Sequence, residues 1–83
     1  MKLLYFARLR ERLGCAQESI ERPPEVATVA QLRLWLAARG GEWTEVMQAD
    51  RSVRVAVNQD MAQADTPIAD ADEVAFFPPV TGG

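Results

Sequence analysis

The residues whose chemistry stands out lie at the end of the sequence. Phe76-Phe77-Pro78-Pro79 is followed by Val80-Thr81-Gly82-Gly83, a stretch with no charged side chain. Two prolines pre-set an extended exit from whatever precedes them. From Pro78 onward the chain can reach about 20 Å. A pair of glycines lets backbone pass through a channel too narrow for a Cβ. These features suit a carboxylate that is inserted into another protein's active site. A carboxylate is a poor electrophile because its negative charge repels nucleophiles. Activation by ATP to an acyl adenylate supplies a leaving group, and a sulfur nucleophile can displace it to leave a thiocarboxylate. That sulfur is soft and ionised near neutrality. Gly83, unhindered, suits both displacements, and neither requires a catalytic side chain from the chain itself.

The rest of the composition agrees with a chain that does no catalysis alone. There is no histidine and one cysteine, Cys15. An internal disulfide, a zinc site of the Cys/His kind and a Ser-His-Asp or Cys-His mechanism are therefore excluded. Cys15 follows the turn residue Gly14 and reads as a small, half-buried residue rather than a reactive thiol. Asp60, Asp65, Asp70, Asp72 and Glu73 do not follow the calcium-loop spacing, and they read as turn-forming, solubilising acids. No metal site is expected. Glycine-rich phosphate loops are absent. Trp35 and Trp43 read as helix-face core.

Length and charge set the class. The chain has 83 residues, 48% hydrophobic and 25% charged, with a formal net charge of −3. That is one globular domain. The acidic excess argues against nucleic acid. No apolar run approaches the ~20 residues of a membrane span. The apolar stretch after Met1-Lys2 is broken by Arg8, Arg10, Glu11 and Arg12, so it does not read as a signal peptide. A cytoplasmic location is expected.

These residues must be positioned by a fold, and the patterning predicts one. Lys2 to Ala7 reads as a strand with Leu3, Tyr5 and Ala7 inward and Leu4 and Phe6 on the face of Lys2. Arg8 to Leu13 predicts a helical turn stopped by Gly14. Gln17 to Glu21 predicts a second strand, antiparallel to the first. Pro23-Pro24 marks a loop. Thr28 and Gln31 form a capping box, and Val29, Leu32 and Leu36 make one apolar stripe of the main helix, widened by Trp35. Gly40-Gly41 ends it, and Glu42 to Gln48 predicts a short second helix. Val53 to Asn58 alternates as a strand with Val53, Val55 and Val57 inward. Asn58-Gln59-Asp60 is a turn, Thr66-Pro67-Ile68 an irregular crossing, and Asp70-Ala71-Asp72 a turn into a last strand, Glu73 to Phe77. The first and last strands are strongly apolar and fit the centre of a sheet. One helix across one face of a mixed sheet is a two-layer α+β domain, the ubiquitin-like β-grasp. Residues 1–79 are read as that domain and 80–83 as a flexible tail.

The sequence resembles the molybdopterin synthase small-subunit family. Phe6-Ala7-Arg8-Leu9-Arg10-Glu11, Val55-Ala56-Val57-Asn58 and the segment from Asp72 to Gly83 carry the likeness. The resemblance spans the whole chain in length and order, and its final segment is the specific part. It implies a partner similar to the ubiquitin-activating adenylyltransferases, which uses ATP and magnesium on Gly83, and a sulfur donor protein that makes the thiocarboxylate. It also implies docking on the large synthase subunit, in a large-subunit dimer with one carrier at each end. Sulfur would pass there to cyclic pyranopterin monophosphate, two loaded carriers supplying one dithiolene. No cofactor is expected to be held tightly by the chain itself. One departure is Asp70-Ala71-Asp72 where the family usually has glycine in the middle, which leaves the turn geometry open.

Alternation, which leaves Phe6 and Phe77 outward, and the place of Met61 just past the strand ending at Asn58 also predict a docking patch. Phe6, Met61 and Phe77 are expected to form one apolar surface near the exit of the tail, with Arg10 at its rim. Alternative readings are a thiamine-type sulfur carrier, a ubiquitin-like protein modifier, or a β-grasp interaction domain with an inert tail.

Overall fold

Strands form where the sequence alternates, and the inward set seals one side of a sheet. In a computed structural model, residues 1–50 and 52–79 are described. The strands are β1 (Lys2–Tyr5), β2 (Gln17–Ser19), β3 (Arg54–Val57), β4 (Asp60–Met61) and β5 (Glu73–Phe77), and the helices are α1 (Arg8–Leu13), α2 (Val29–Ala37) and α3 (Glu42–Thr44). The sheet order is β2-β1-β5-β3-β4. The apolar first and last strands lie side by side and parallel, with β5 at the centre. All other pairings are antiparallel. Leu3, Tyr5, Val55, Val57, Val74 and Phe76 face α2, which buries Val29, Leu32 and Leu36 against them. Together they form the two-layer β-grasp expected from the pattern.

α2 begins as the sequence predicts. The Thr28 hydroxyl accepts from the Gln31 N–H at 3.3 Å, and Gln31 Oε1 accepts from the Thr28 N–H at 3.2 Å. Two donors that the helix cannot pair internally are thereby satisfied. After the glycines the chain makes the short α3 and then a wide π-type turn over Glu45–Ala49 rather than one continuous helix. Arg33 explains how that turn is held. Its guanidinium reaches across from α2 and donates to the carbonyls of Met47 at 2.9 Å, Asp50 at 3.2 Å and Val53 at 3.3 Å. A planar cation with several donors can serve carbonyls that a wide turn leaves open. β3 is thus delivered to the sheet from a fixed start.

The structure departs from the sequence reading at three places near the candidate site. Ala7, expected in the core, is exposed and outside β1. It has φ 53° and ψ −131°, and this sharp turn releases Phe6 outward and returns the chain so that Leu9 is sealed. Gly14, in the left-handed region at φ 67°, then closes α1. Second, Met61 is not simply beyond a strand. Asn58 and Gln59, at φ 51° and 70°, turn the chain back so that Asp60 and Met61 pair with Val57 and Ala56. Third, the turn before β5 forms without positive φ at Ala71. The Asp72 carboxylate holds it instead, accepting from the Ala69 N–H at 2.8 Å and from the Asn58 amide at 3.0 Å.

Candidate functional site

Residues paired across a sheet share a face, so the ladder registers define the surface opposite α2. One row runs Gln17, Leu4, Ala75, Ala56, Met61. The next row toward the end of β5 holds Phe77 and, on β3, Arg54. Phe6 continues it, because its N–H donates to the Phe76 carbonyl at 3.1 Å and so prolongs the β1–β5 ladder past Tyr5. The row at the opposite end is polar, with Ser19, Lys2 and Glu73. The open face is therefore apolar in its middle and at the end where β5 finishes, and polar at the other.

Exposure follows from that placement. Phe6 is 48% and Met61 63% exposed, and Phe77 is half-buried. Phe6 and Phe77 come together as neighbours on adjacent strands. Met61 is on the same face two strands further out and one row back. Arg10 is exposed on α1, and among the described residues it has no ion pair, unlike Arg12, which bonds Glu42 at 2.7 Å. Val80, Thr81, Gly82 and Gly83 lie outside the described residues. The last described residues, Pro78 and Pro79, leave β5 directly after Phe77.

The structure adds Leu4, Ala56 and Ala75 to this surface. The two alanines keep the centre of the sheet face low, flanked by Leu4 and Met61. The signal was present in Arg54-Val55-Ala56-Val57, where the outward positions are a charge and then a methyl. A small side chain on an open sheet face is easily read as mere alternation.

Behind the patch, polar groups fix the edge of the sheet. Arg39 donates to Glu18 Oε2 at 2.8 Å and to Oε1 at 2.9 Å, and the Tyr5 hydroxyl donates to Oε2 at 2.8 Å. The Arg39 guanidinium lies 4.4 Å from the centroid of Trp43, and that ring meets Tyr5 edge-on at 5.3 Å. The Arg39 bonds hold the Glu18 carboxyl below its usual range, although burial works against them. Burial, then the Glu18 bond, pushes the Tyr5 hydroxyl far above its ordinary range. Both are kept in fixed charge states near neutrality, which suits a structural network rather than a proton-transfer site. Among the described residues no three of His, Cys, Asp or Glu gather in a way that would hold a metal, and no helix is long and apolar enough to cross a membrane.

A half-open apolar sheet face that ends at an extended proline exit is the arrangement to compare with known proteins. The ThiS family model matches residues 3–83. This chain belongs to the ThiS family. The molybdopterin synthase sulfur carrier subunit of Escherichia coli (strain K12) is 42% identical over 100% of this chain and 99% of its own length. The protein of the same name from Haemophilus influenzae is 35% identical over the same shares. Among solved structures, SAMP1 from Haloferax volcanii superposes with a TM-score of 0.78 at 27% identity, covering 100% of this chain and 98% of that one. Within the ThiS family, then, the chain has the ubiquitin-like β-grasp scaffold.

Proposed function

We propose that the chain is the sulfur carrier of molybdopterin synthase, acting in the cytoplasm through Gly83. A partner of the ubiquitin-activating type, using ATP and magnesium, joins the Gly83 carboxylate to adenylate and releases pyrophosphate. Sulfur from a donor protein displaces adenylate and leaves the thiocarboxylate. The carrier then docks on the large subunit, and sulfur passes to cyclic pyranopterin monophosphate in an assembly of two large subunits and two carriers. The full-length 42% identity to a protein of that name carries the reading. The end of β5 supports it: a central strand that finishes in Phe77-Pro78-Pro79 gives the following residues a rigid base.

The open face supplies the docking surface in this proposal. Phe6, Phe77 and Met61 anchor the partner, Leu4, Ala56 and Ala75 let it approach, and Arg10 pairs with an acid at the rim. Deleting Gly82-Gly83 tests the function. The truncated chain is expected to melt at nearly the same temperature and to make no molybdopterin with the large subunit and precursor. A truncated chain that still made it would end the proposal.

The likeness to SAMP1, a small archaeal modifier protein, favours a second reading as a protein modifier. Isopeptide conjugates of the chain to other proteins in cell extracts would favour it, and conjugates would be absent if the chain only carries sulfur.

A further inference from the structure

The edge of the sheet opens where β4 ends. β4 pairs only with Ala56 and Val57. The Ala62 N–H still donates to the Val55 carbonyl at 2.9 Å. The chain then turns away, and the Gln63 N–H donates to the Thr66 hydroxyl at 2.9 Å. Val55 has its N–H on this same side, because Asn58 directs its own to Glu73 of β5 and the side alternates along β3. Val55 is buried, and among the described residues its N–H has no acceptor. A buried backbone donor is seldom left unmatched. Val55 lines a groove of about 330 Å³ between α2 and the sheet edge. Val29, Val53, Ala62 and Ala64 make its apolar walls, and the charged residues that line it are Arg33 and Arg54. No acid lines it. Neither arginine has an ion pair among the described residues. The carbonyls of Val46, Met47, Asp50 and Val53 take four of the five Arg33 N–H donors.

We propose that this groove binds a glutamate side chain of the partner that docks on the open face, presented on a segment with apolar neighbours. The proposal rests on the docking face of the proposed function, with which the groove is continuous. Arg54 stands in the row of Phe77, and Met61 lines the groove as well as the face. A carboxylate accepts about four hydrogen bonds. The Arg54 fork can supply two, the Val55 N–H a third and the remaining Arg33 donor a fourth. The methylenes of the glutamate lie along the valine and alanine walls. A phosphate fits less well. The N–H groups of Val29 and Ala30 at the start of α2, which would favour it, are taken by the Thr66 and Ala64 carbonyls at 3.0 and 2.9 Å. A basic side chain of a partner would be repelled, so the groove adds charge selection to apolar docking.

Titration of the isotope-labelled full chain with a capped valine-glutamate-valine tripeptide, followed by amide NMR, tests this without the large subunit. The same tripeptide with glutamine in the middle is the control. The amide signals of Arg54, Val55, Ala62 and Gln63 are expected to shift together and to saturate in the millimolar range. The glutamine peptide is expected to bind at least about tenfold more weakly, since its neutral amide forgoes the charge-assisted bonds. Arg54 is exposed, and Arg54→Gln, shown by melting to be folded, should bind both peptides equally weakly. Equal affinity of the wild type for the two peptides would overturn the proposal. So would shifts confined to other surfaces, no saturable shift at all, or a glutamate preference undiminished in Arg54→Gln. Gly83 takes no part in the titration. Failure here would leave the sulfur-carrier function standing, and failure to make molybdopterin would leave the groove result standing.

Discussion

Phe76 and Phe77 are adjacent in sequence and lie on opposite sides of the central strand: Phe76 is fully buried, stacked 5.8 Å from Tyr5, while Phe77 is half-buried on the open face beside Phe6. The same aromatic side chain therefore serves stability at one position and, in the proposed function, recognition at the next. Phe76→Ala is expected to cost about 3–5 kcal/mol of folding stability. Phe77→Ala should cost much less stability but weaken binding to the large subunit by about 2 kcal/mol or more. Denaturant melts and titration calorimetry on both variants separate the two roles. If Phe77→Ala unfolded the free chain and left the affinity of the folded fraction intact, Phe77 would be core.

Ala7 stores strain. Its φ of 53° with ψ of −131° is a conformation that only glycine adopts without cost, and such residues cost of order 1–3 kcal/mol. Ala7→Gly relieves this but loses roughly 0.5–1 kcal/mol through a more flexible unfolded chain. A net gain of about 1 kcal/mol is expected, read as a higher midpoint in urea. A lower midpoint would show that the Ala7 methyl makes a contact worth more than the strain.

Arg33 ties α2 to the turn that precedes β3. Arg33→Met keeps the aliphatic stem and removes the donors to Met47, Asp50 and Val53. The expected loss is about 2 kcal/mol, because carbonyls near the surface are partly rehydrated. Amide hydrogen exchange should quicken over residues 45–53 before it does in β1 or β5. Uniform quickening across the sheet would contradict a local clamp.

Acid sensitivity is expected to depend on Glu18. Its carboxyl is held below the ordinary value of 4.5, chiefly by the Arg39 bonds, with the Tyr5 hydroxyl adding to the effect. A depressed folded value means the contribution is complete above 4.5 and is lost as pH falls through the folded value. Glu18→Gln should therefore melt lower than the wild type near neutrality and converge with it in strong acid. Parallel curves across that range would show that Glu18 is not responsible.

How much of this was legible depended on whether side-chain pattern or backbone geometry decided the element. The core was legible because Val53, Val55, Val57, Val74 and Phe76 alternate, and Leu32 and Leu36 share a helix face. The capping box at Thr28 was legible because its two partners are three residues apart. Ala7 was not, since alanine gives no hint of positive φ and the alternation from Lys2 runs through it. β4 was missed for a similar reason. Asn58 tolerates the left-handed region, but Gln59 is not the glycine that usually marks a tight hairpin. Of the patch residues, Phe6 and Phe77 are legible from alternation and Met61 from its place just past the strand that ends at Asn58. Ala56 and Ala75 needed the registers, because only pairing shows that they fall in one row between Leu4 and Met61.

The central claim concerns Gly83 and is tested most directly by intact-mass spectrometry of the chain isolated from cells that make molybdenum cofactor. A carrier is expected to show a population heavier by the replacement of one oxygen with sulfur, located by fragmentation to Gly83 and lost on incubation with the large subunit and cyclic pyranopterin monophosphate. A single unmodified mass in such cells, with the activating enzyme and sulfur donor both present, would contradict the account.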